Sequence, residues 1–207
     1  MKIVGGKIAG GKAPDGNAGR ATSERIPEEV ARDVKLVILD VDGVLTDAGV
    51  YIGTDGVGEV VELKRFDIQD GLGIHLLRAA GIEVALVSGR VSRATEARAR
   101  ELGLEECHQE AGARKLPVVR EIMGRMELDW PQVAMLGDDL PDLPVLRKVG
   151  LPVAVGNAVR EVRQVATWTT RREGGRGAVR EFARVLLETR GEWDDLVEAY
   201  CAARSDD

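Results

Sequence analysis

The stretch KLVILDVDGVLTDAG, Lys35–Gly49, decides how the rest of the chain is read. Its apolar run from Leu36 to Leu39 shows no polar alternation, so it reads as a short strand buried on both faces, as in a parallel sheet. Directly after it come Asp40, Asp42 and Asp47, with Gly43 among them. Carboxylates crowded at the exit of a core strand repel one another, unless a shared proton or a cation draws them together. Along an extended chain residues i and i+2 point the same way, so Asp40 and Asp42 can face one reacting centre. Gly43 lets the backbone turn away sharply.

Outward from this stretch, short apolar runs alternate with helical patterns. Val84–Val87, Val133–Leu136 and Pro152–Val155 read as further strands, with a weaker one near Cys107. Between them GLGIHLLRAAG, SRATEARARELG, KLPVVREIMGRM and DLPVLRKVG carry apolar residues at helical spacing, and three of these stop at Gly. Such alternation predicts an α/β fold: one doubly wound, Rossmann-like parallel sheet with helices on both faces. Ligands of such sheets bind at the carboxyl ends of the strands. GVYIGTDGVGEVVELKRF interrupts the pattern with two β-rich runs around TDGVG, which predicts a hairpin projecting from the strand-end side. After residue 170 a Gly-rich loop, with GGRG at 174–177, opens a helix, and a last helix is expected from Glu192 to Cys201.

A second acidic group, GDDLPD, follows the strand Val133–Leu136. Asp138 and Asp139 come right after Gly137, and Pro141 suits a first helical turn that places Asp142 beneath them. If the two acid-bearing strands are neighbours, Asp40 and Asp138 meet. An all-oxygen site of this kind favours Mg²⁺. VALVSGR adds Ser88, Gly89 and Arg90 at a helix start, a natural anion seat, and ARKLPVV sets Lys115 before a Pro-started helix. Taken singly, these are a turn, a cap and a surface lysine. Their joint order, each at the exit of a strand, is what phosphoryl transfer needs: cations to neutralise charge and a carboxylate to attack phosphorus.

Composition sets the outer bounds. The 207 residues are 44% hydrophobic and 31% charged, with a net charge of −6. Lys and Arg are dispersed, which speaks against a nucleic-acid surface. No apolar run approaches about 18 residues, so no membrane span is expected. Cys107 and Cys201 form neither a metal spacing nor a disulfide framework, as suits the cytoplasm. Residues 1–25, rich in Gly, read as a flexible tail; residues 26–190 read as the catalytic domain and 191–207 as a C-terminal helix and tail.

Together, DVDGVLTD, VSGR, Lys115 and GDDLPD resemble the four motifs of the haloacid dehalogenase superfamily of phosphohydrolases, over roughly residues 34–190. The resemblance implies that Asp40 is the nucleophile forming an aspartyl-phosphate and Asp42 the general acid, then base. Mg²⁺ would bind the Asp40 side chain, the Asp42 backbone carbonyl and Asp138. Asp139 and Asp142 would orient that shell, while Ser88, Gly89 and Lys115 hold the phosphoryl oxygens.

There is no room for a large cap domain. FDIQDGLGI, SGRVSRATEARARELG and GGRGAVREF are similar to the capless phosphatases of 3-deoxy-D-manno-octulosonate 8-phosphate. That likeness implies a homotetramer whose hairpins and C-terminal segments close neighbouring sites. Contacts to the sugar acid would fall on Asp67, Ile68, Gln69, Asp70, Gly71, His75, Arg90, Arg98 and Arg176. The chain departs from the family where Asp67 and Gln69 replace an Asn and an Arg or Lys, and where His75 replaces an Arg. Phosphatases of nine-carbon, sialic-type acids therefore stay open as an alternative. From another class, a receiver-like phosphoacceptor domain uses similar groups but lacks an acid two residues beyond the phosphorylated Asp, and Asp42 counts against it.

Overall fold

The computed structural model describes residues 25–205. The expected Gly-rich tail lies outside these residues, apart from Arg25. In chain order the strands are β1 Leu36–Leu39, β2 Tyr51–Thr54, β3 Val60–Leu63, β4 Glu83–Ser88, β5 Cys107–Gln109, β6 Val133–Gly137, β7 Leu151–Ala154 and β8 Trp168–Thr169. The helices are α1 Glu28–Asp33, α2 Ile68–Ala79, α3 Arg93–Glu101, α4 Lys115–Arg125, α5 Leu143–Leu146, α6 Arg160–Val165, α7 Ala178–Arg190 and α8 Trp193–Ala202.

Six strands form one parallel sheet in the order β5-β4-β1-β6-β7-β8, and β2 pairs with β3 in a separate antiparallel hairpin. All four residues of β1 are fully buried, because the strand is central and helices cover the sheet. On the helical side α2 packs on α7, and α7 on α1 and α8, while α4, α5 and α6 pack in series. The doubly wound architecture and the hairpin are as the alternation predicts.

Differences from the expected elements have local causes. DLPVLRKVG yields only the four-residue α5, preceded by a 3-10 turn at Leu140–Asp142. Pro141 and Pro144 lack the N–H that a longer helix would use. The fourth expected strand is shifted one residue toward the N-terminus, to Leu151–Ala154. Two short helices, α1 and α6, and the two-residue β8 were not signalled, since six residues or fewer carry too little periodicity. α8 starts one residue later than Glu192.

Register decides where the functional ends meet. Leu39 is level with Leu86 on β4 and with Leu136 on β6. Asp40, Val87 and Gly137 therefore share the next level, with Ser88 and Asp138 one step beyond. The Asp40 N–H still bonds the Leu136 carbonyl, at 3.2 Å.

Candidate active site

Asp40, Asp138 and Asp142 each bring a carboxylate oxygen within 4.8 Å of the others. Asp40 is 6% exposed and Asp142 1%. The Lys115 ammonium lies between two of them, 2.6 Å from Asp40 Oδ1 and 2.6 Å from Asp142 Oδ1. The other Asp142 oxygen accepts from the Asp138 N–H at 2.9 Å and the Asp139 N–H at 3.4 Å. Asp142 thus ties Lys115 to the turn carrying Asp138, with both oxygens already engaged. Asp139 is exposed and its side chain caps its own turn by accepting from the Leu140 N–H, so it is not brought to the cluster.

Burial, with Asp142 nearby, pushes the Asp40 carboxyl above the usual carboxylate range against the pull of Lys115. Burial also raises Asp138, aided by Asp40 and Asp142. Burial pulls the Lys115 ammonium down, but the two carboxylates outweigh it and its pKa ends up raised. One Asp138 oxygen, Oδ1, is buried with no hydrogen-bond partner.

The turn over Val41–Leu45 depends on Gly43, at φ 105°. A Cβ there would stand 2.0 Å from Asp138 Oδ2, so the bare backbone lets the first and fourth acidic segments approach. From the far side comes the GGRG loop. A Cβ on Gly174 would lie 1.8 Å from the Gly43 carbonyl oxygen. Asn157 clamps the two: its Nδ2 donates to the Gly43 carbonyl at 2.9 Å and its Oδ1 accepts from the Gly174 N–H at 2.6 Å. Thr46, buried, accepts from the Gly43 and Ala48 N–H groups and donates to the Val41 carbonyl. Asp47, the third acid of the opening stretch, instead caps the path into the hairpin by accepting from the Gly49 N–H at 3.1 Å.

Ser88 is fully buried at the end of β4, its hydroxyl bonded to the main chain of Arg90. A Cβ on Gly89 would come 3.9 Å from Lys115 Cε, which places this turn beside the lysine. Asp42 is half-buried, with Oδ1 accepting from Lys64 and standing 3.8 Å from Arg90 Nη1.

The residues expected to meet the sugar acid are not all together. Asp67 caps α2 by accepting from the Gln69 N–H at 2.8 Å, and Ile68 is exposed. Gln69 Oε1 receives Arg172 Nη1 at 3.4 Å, linking α2 to the Gly-rich loop. Arg90 is bound to Glu62 at 2.7 Å on the hairpin. Arg98 is buried, reaching Glu101 at 2.8 Å and the Asp67 carbonyl at 3.3 Å, and it stands where a Cβ on Gly71 would fall. Asp70 turns inward and accepts from the Gly177 and Arg180 N–H groups at the start of α7; burial lifts its carboxyl to about 6. Arg176 is exposed and 3.7 Å from Glu173. His75 is not brought to the acids: its ring meets Tyr200 of α8 edge-on at 5.5 Å. Seven residues along α2, it stands about 10 Å from the helix start.

Sequence reasoning missed Asn157, Thr46, Glu62 and Lys64. Asn157 had a usable signal, since it follows a strand at its carboxyl end. Lys64 had none, because its placement follows from how the hairpin docks.

A family model for haloacid dehalogenase-like hydrolases matches residues 109–182. The 3-deoxy-D-manno-octulosonate 8-phosphate phosphatase KdsC of Escherichia coli K12 is 41% identical over 165 residues, 80% of this chain and 85% of the relative. This chain belongs to the haloacid dehalogenase-like hydrolases. Among solved structures, the phosphatase of that name from Yersinia pestis superposes with a TM-score of 0.74 at 39% identity, covering 81% of this chain and 88% of the other. The Moraxella catarrhalis enzyme, solved with a magnesium ion, phosphate and KDO, gives 0.76 at 34% identity, covering 84% and 97%.

The residues of this hydrolase fit a hard cation. Asp40 and Asp138 are oxygen donors whose charges are mutually destabilising when buried, and Asp138 Oδ1 is buried without a hydrogen-bond partner. No helix among the described residues is long and apolar enough to cross a membrane.

Proposed function

We propose that this hydrolase is a Mg²⁺-dependent phosphatase of a phosphorylated sugar acid, 3-deoxy-D-manno-octulosonate 8-phosphate before any other. The observation that carries the chemistry is the meeting of the Asp40, Asp138 and Asp142 carboxylates, with Lys115 bridging Asp40 and Asp142. The names and 34–41% identities of the relatives support the substrate. Asp40 and Asp138, with the Asp42 backbone carbonyl, would hold Mg²⁺, which supplies positive charge beside the phosphoryl oxygens. Asp40 attacks phosphorus, the ester P–O bond breaks, and the departing sugar oxygen takes a proton from Asp42. A water then attacks the same phosphorus, gives its proton to Asp42 and frees Asp40 with inorganic phosphate. Lys115 and the turn at Ser88–Gly89 hold phosphoryl oxygens throughout.

Phosphate release from a panel of sugar phosphates tests this reading. The eight-carbon acid phosphate is expected to give the highest kcat/KM, above nine-carbon acid phosphates and neutral sugar phosphates, and EDTA to abolish turnover until Mg²⁺ is restored. A preference for neutral sugars, or an aspartyl-phosphate that persists as in a receiver, would sink it.

A homotetramer belongs to the same proposal. The hairpin exposes Ile52 (71%), Val57 (84%), Val60 (73%) and Leu63 (64%). A two-stranded sheet is marginal in water unless its apolar face is covered. Light scattering is expected to give four times the chain mass, and a monomer with full activity would refute it. Cys107 and Cys201 are free thiols, which supports a reducing cytoplasm.

A further inference from the structure

Lys64 is a buried cation to which the motifs assign no part. It stands one residue past β3, and its side chain is 1% exposed. An ammonium is held so deep only against a carboxylate, and here the carboxylate is Asp42. The surrounding charges alternate in a closed ring. Lys64 donates to Asp42 Oδ1; Asp42 Oδ1 is 3.8 Å from Arg90 Nη1; Arg90 Nη2 is 2.7 Å from Glu62 Oε2; and Glu62 Oε1 is 3.8 Å from Lys64 Nζ. Three separate segments meet in it: the turn after β1, the hairpin, and the turn after β4. The two Asp42 oxygens are therefore not equivalent. Oδ1 has both cations, whereas Oδ2 is buried without a hydrogen-bond partner.

We propose that Lys64 is a positioning residue for proton transfer: it fixes Asp42 through Oδ1, so that Oδ2 is the oxygen that exchanges the proton with the substrate. The inference rests on the acid–base role of Asp42 proposed above. A carboxylate on a short side chain still turns about two bonds, and general acid catalysis demands hydrogen-bond reach to the departing oxygen. An ammonium pinning one oxygen removes that freedom, and a charge-assisted bond does so more firmly than a neutral one. The hairpin then contributes chemistry as well as shape. In the first step Asp40 bonds to phosphorus, the P–O bond to the sugar breaks, its electron pair leaves on the sugar oxygen, and the proton on Asp42 Oδ2 moves to that oxygen. A sugar alkoxide needs this proton to leave. A nitrophenolate does not.

The test compares kcat/KM for the sugar-acid phosphate with that for p-nitrophenyl phosphate, at saturating Mg²⁺, in wild type, Lys64→Met, Lys64→Gln and Asp42→Asn. This ratio reports the steps through formation of the aspartyl-phosphate. Lys64→Met is expected to lower kcat/KM on the sugar phosphate by about 30-fold and on the aryl phosphate by less than about 3-fold. Lys64→Gln, of similar length but uncharged, should show the same selectivity, and whichever variant gives a cooperative melt decides the matter. Equal losses on both substrates would make Lys64 a prop for the fold or a phosphate ligand, and no loss on either would make its contact with Asp42 idle. Each of those results overturns the proposal. Asp42→Asn separates the two levels. If it alone shows the selective loss, only the role of Lys64 fails; if it shows none, the acid role fails and Lys64 with it.

Discussion

Asp40→Asn is expected to lower kcat by on the order of 10⁴-fold or more while leaving the fold intact. Asn is isosteric with Asp but cannot act as the attacking carboxylate. The fold survives because Lys115 keeps its second partner, Asp142 Oδ1, at 2.6 Å. The stability consequence is less obvious and follows from sign. Burial holds the Asp40 carboxyl above its unfolded value, so its folded form prefers the proton. Without metal, that preference stabilises the protein at low pH and is lost as pH rises through the folded pKa. The neutral Asn carries no such penalty. In EDTA at pH 8, Asp40→Asn should melt at or above the wild-type temperature, and the advantage should shrink as the solution is acidified. Added Mg²⁺ should reverse the order, by raising the wild type more than the variant. Phosphate release and thermal melts across pH, with and without Mg²⁺, check all three points. Substantial turnover by the variant would remove Asp40 from its role as nucleophile.

Gly43→Ala should be nearly as damaging, although the residue has no side chain to offer. Two independent costs fall on it. At φ 105° an L side chain is strained by about 1–3 kcal/mol. The added methyl would also stand 2.0 Å from Asp138 Oδ2, inside any van der Waals contact. Asp138 has a short side chain, so it can yield only by turning its carboxylate away from Asp40. The expected result is a folded but destabilised protein, with activity down by about 100-fold or more from the displaced group. Its demand for Mg²⁺ should rise in parallel. The measurement is the Mg²⁺ concentration for half-maximal activity, with the Mg²⁺-induced rise in melting temperature. A variant with wild-type values for both would show that the close approach of Gly43 to Asp138 is unimportant.

How far the site could be read beforehand differs from residue to residue. Asp40, Ser88, Lys115 and Asp138 lie within two residues of strand or helix ends, and alternation alone put those ends on one edge. Asp139 and Asp142 share one implied role in GDDLPD, yet one is exposed and the other is 1% exposed with every oxygen bonded. The tight 3-10 turn at Leu140–Asp142 carries Asp142 inward, beneath Asp138 as Pro141 suggests, and leaves Asp139 at its outer start. Asp70 and Arg98, candidates for the sugar acid, also make contacts that seat α7 and α2, which no motif signals.

By itself the amino-acid order determined the central buried strand, the parallel α/β sheet around it, the hairpin that follows, and the edge at which acids and cations gather. Those features are written in short apolar runs, helical spacing and turn residues, so neighbours along the chain suffice to define them. Only the tertiary structure decided which oxygen answers which donor. Asn157 finds Gly43 across 114 positions and Lys64 finds Asp42 across 22, through the docking of loops whose own sequence has no period. Burial then settles the electrostatics, because a carboxylate's proton affinity depends on the atoms packed round it and not on its place in a motif.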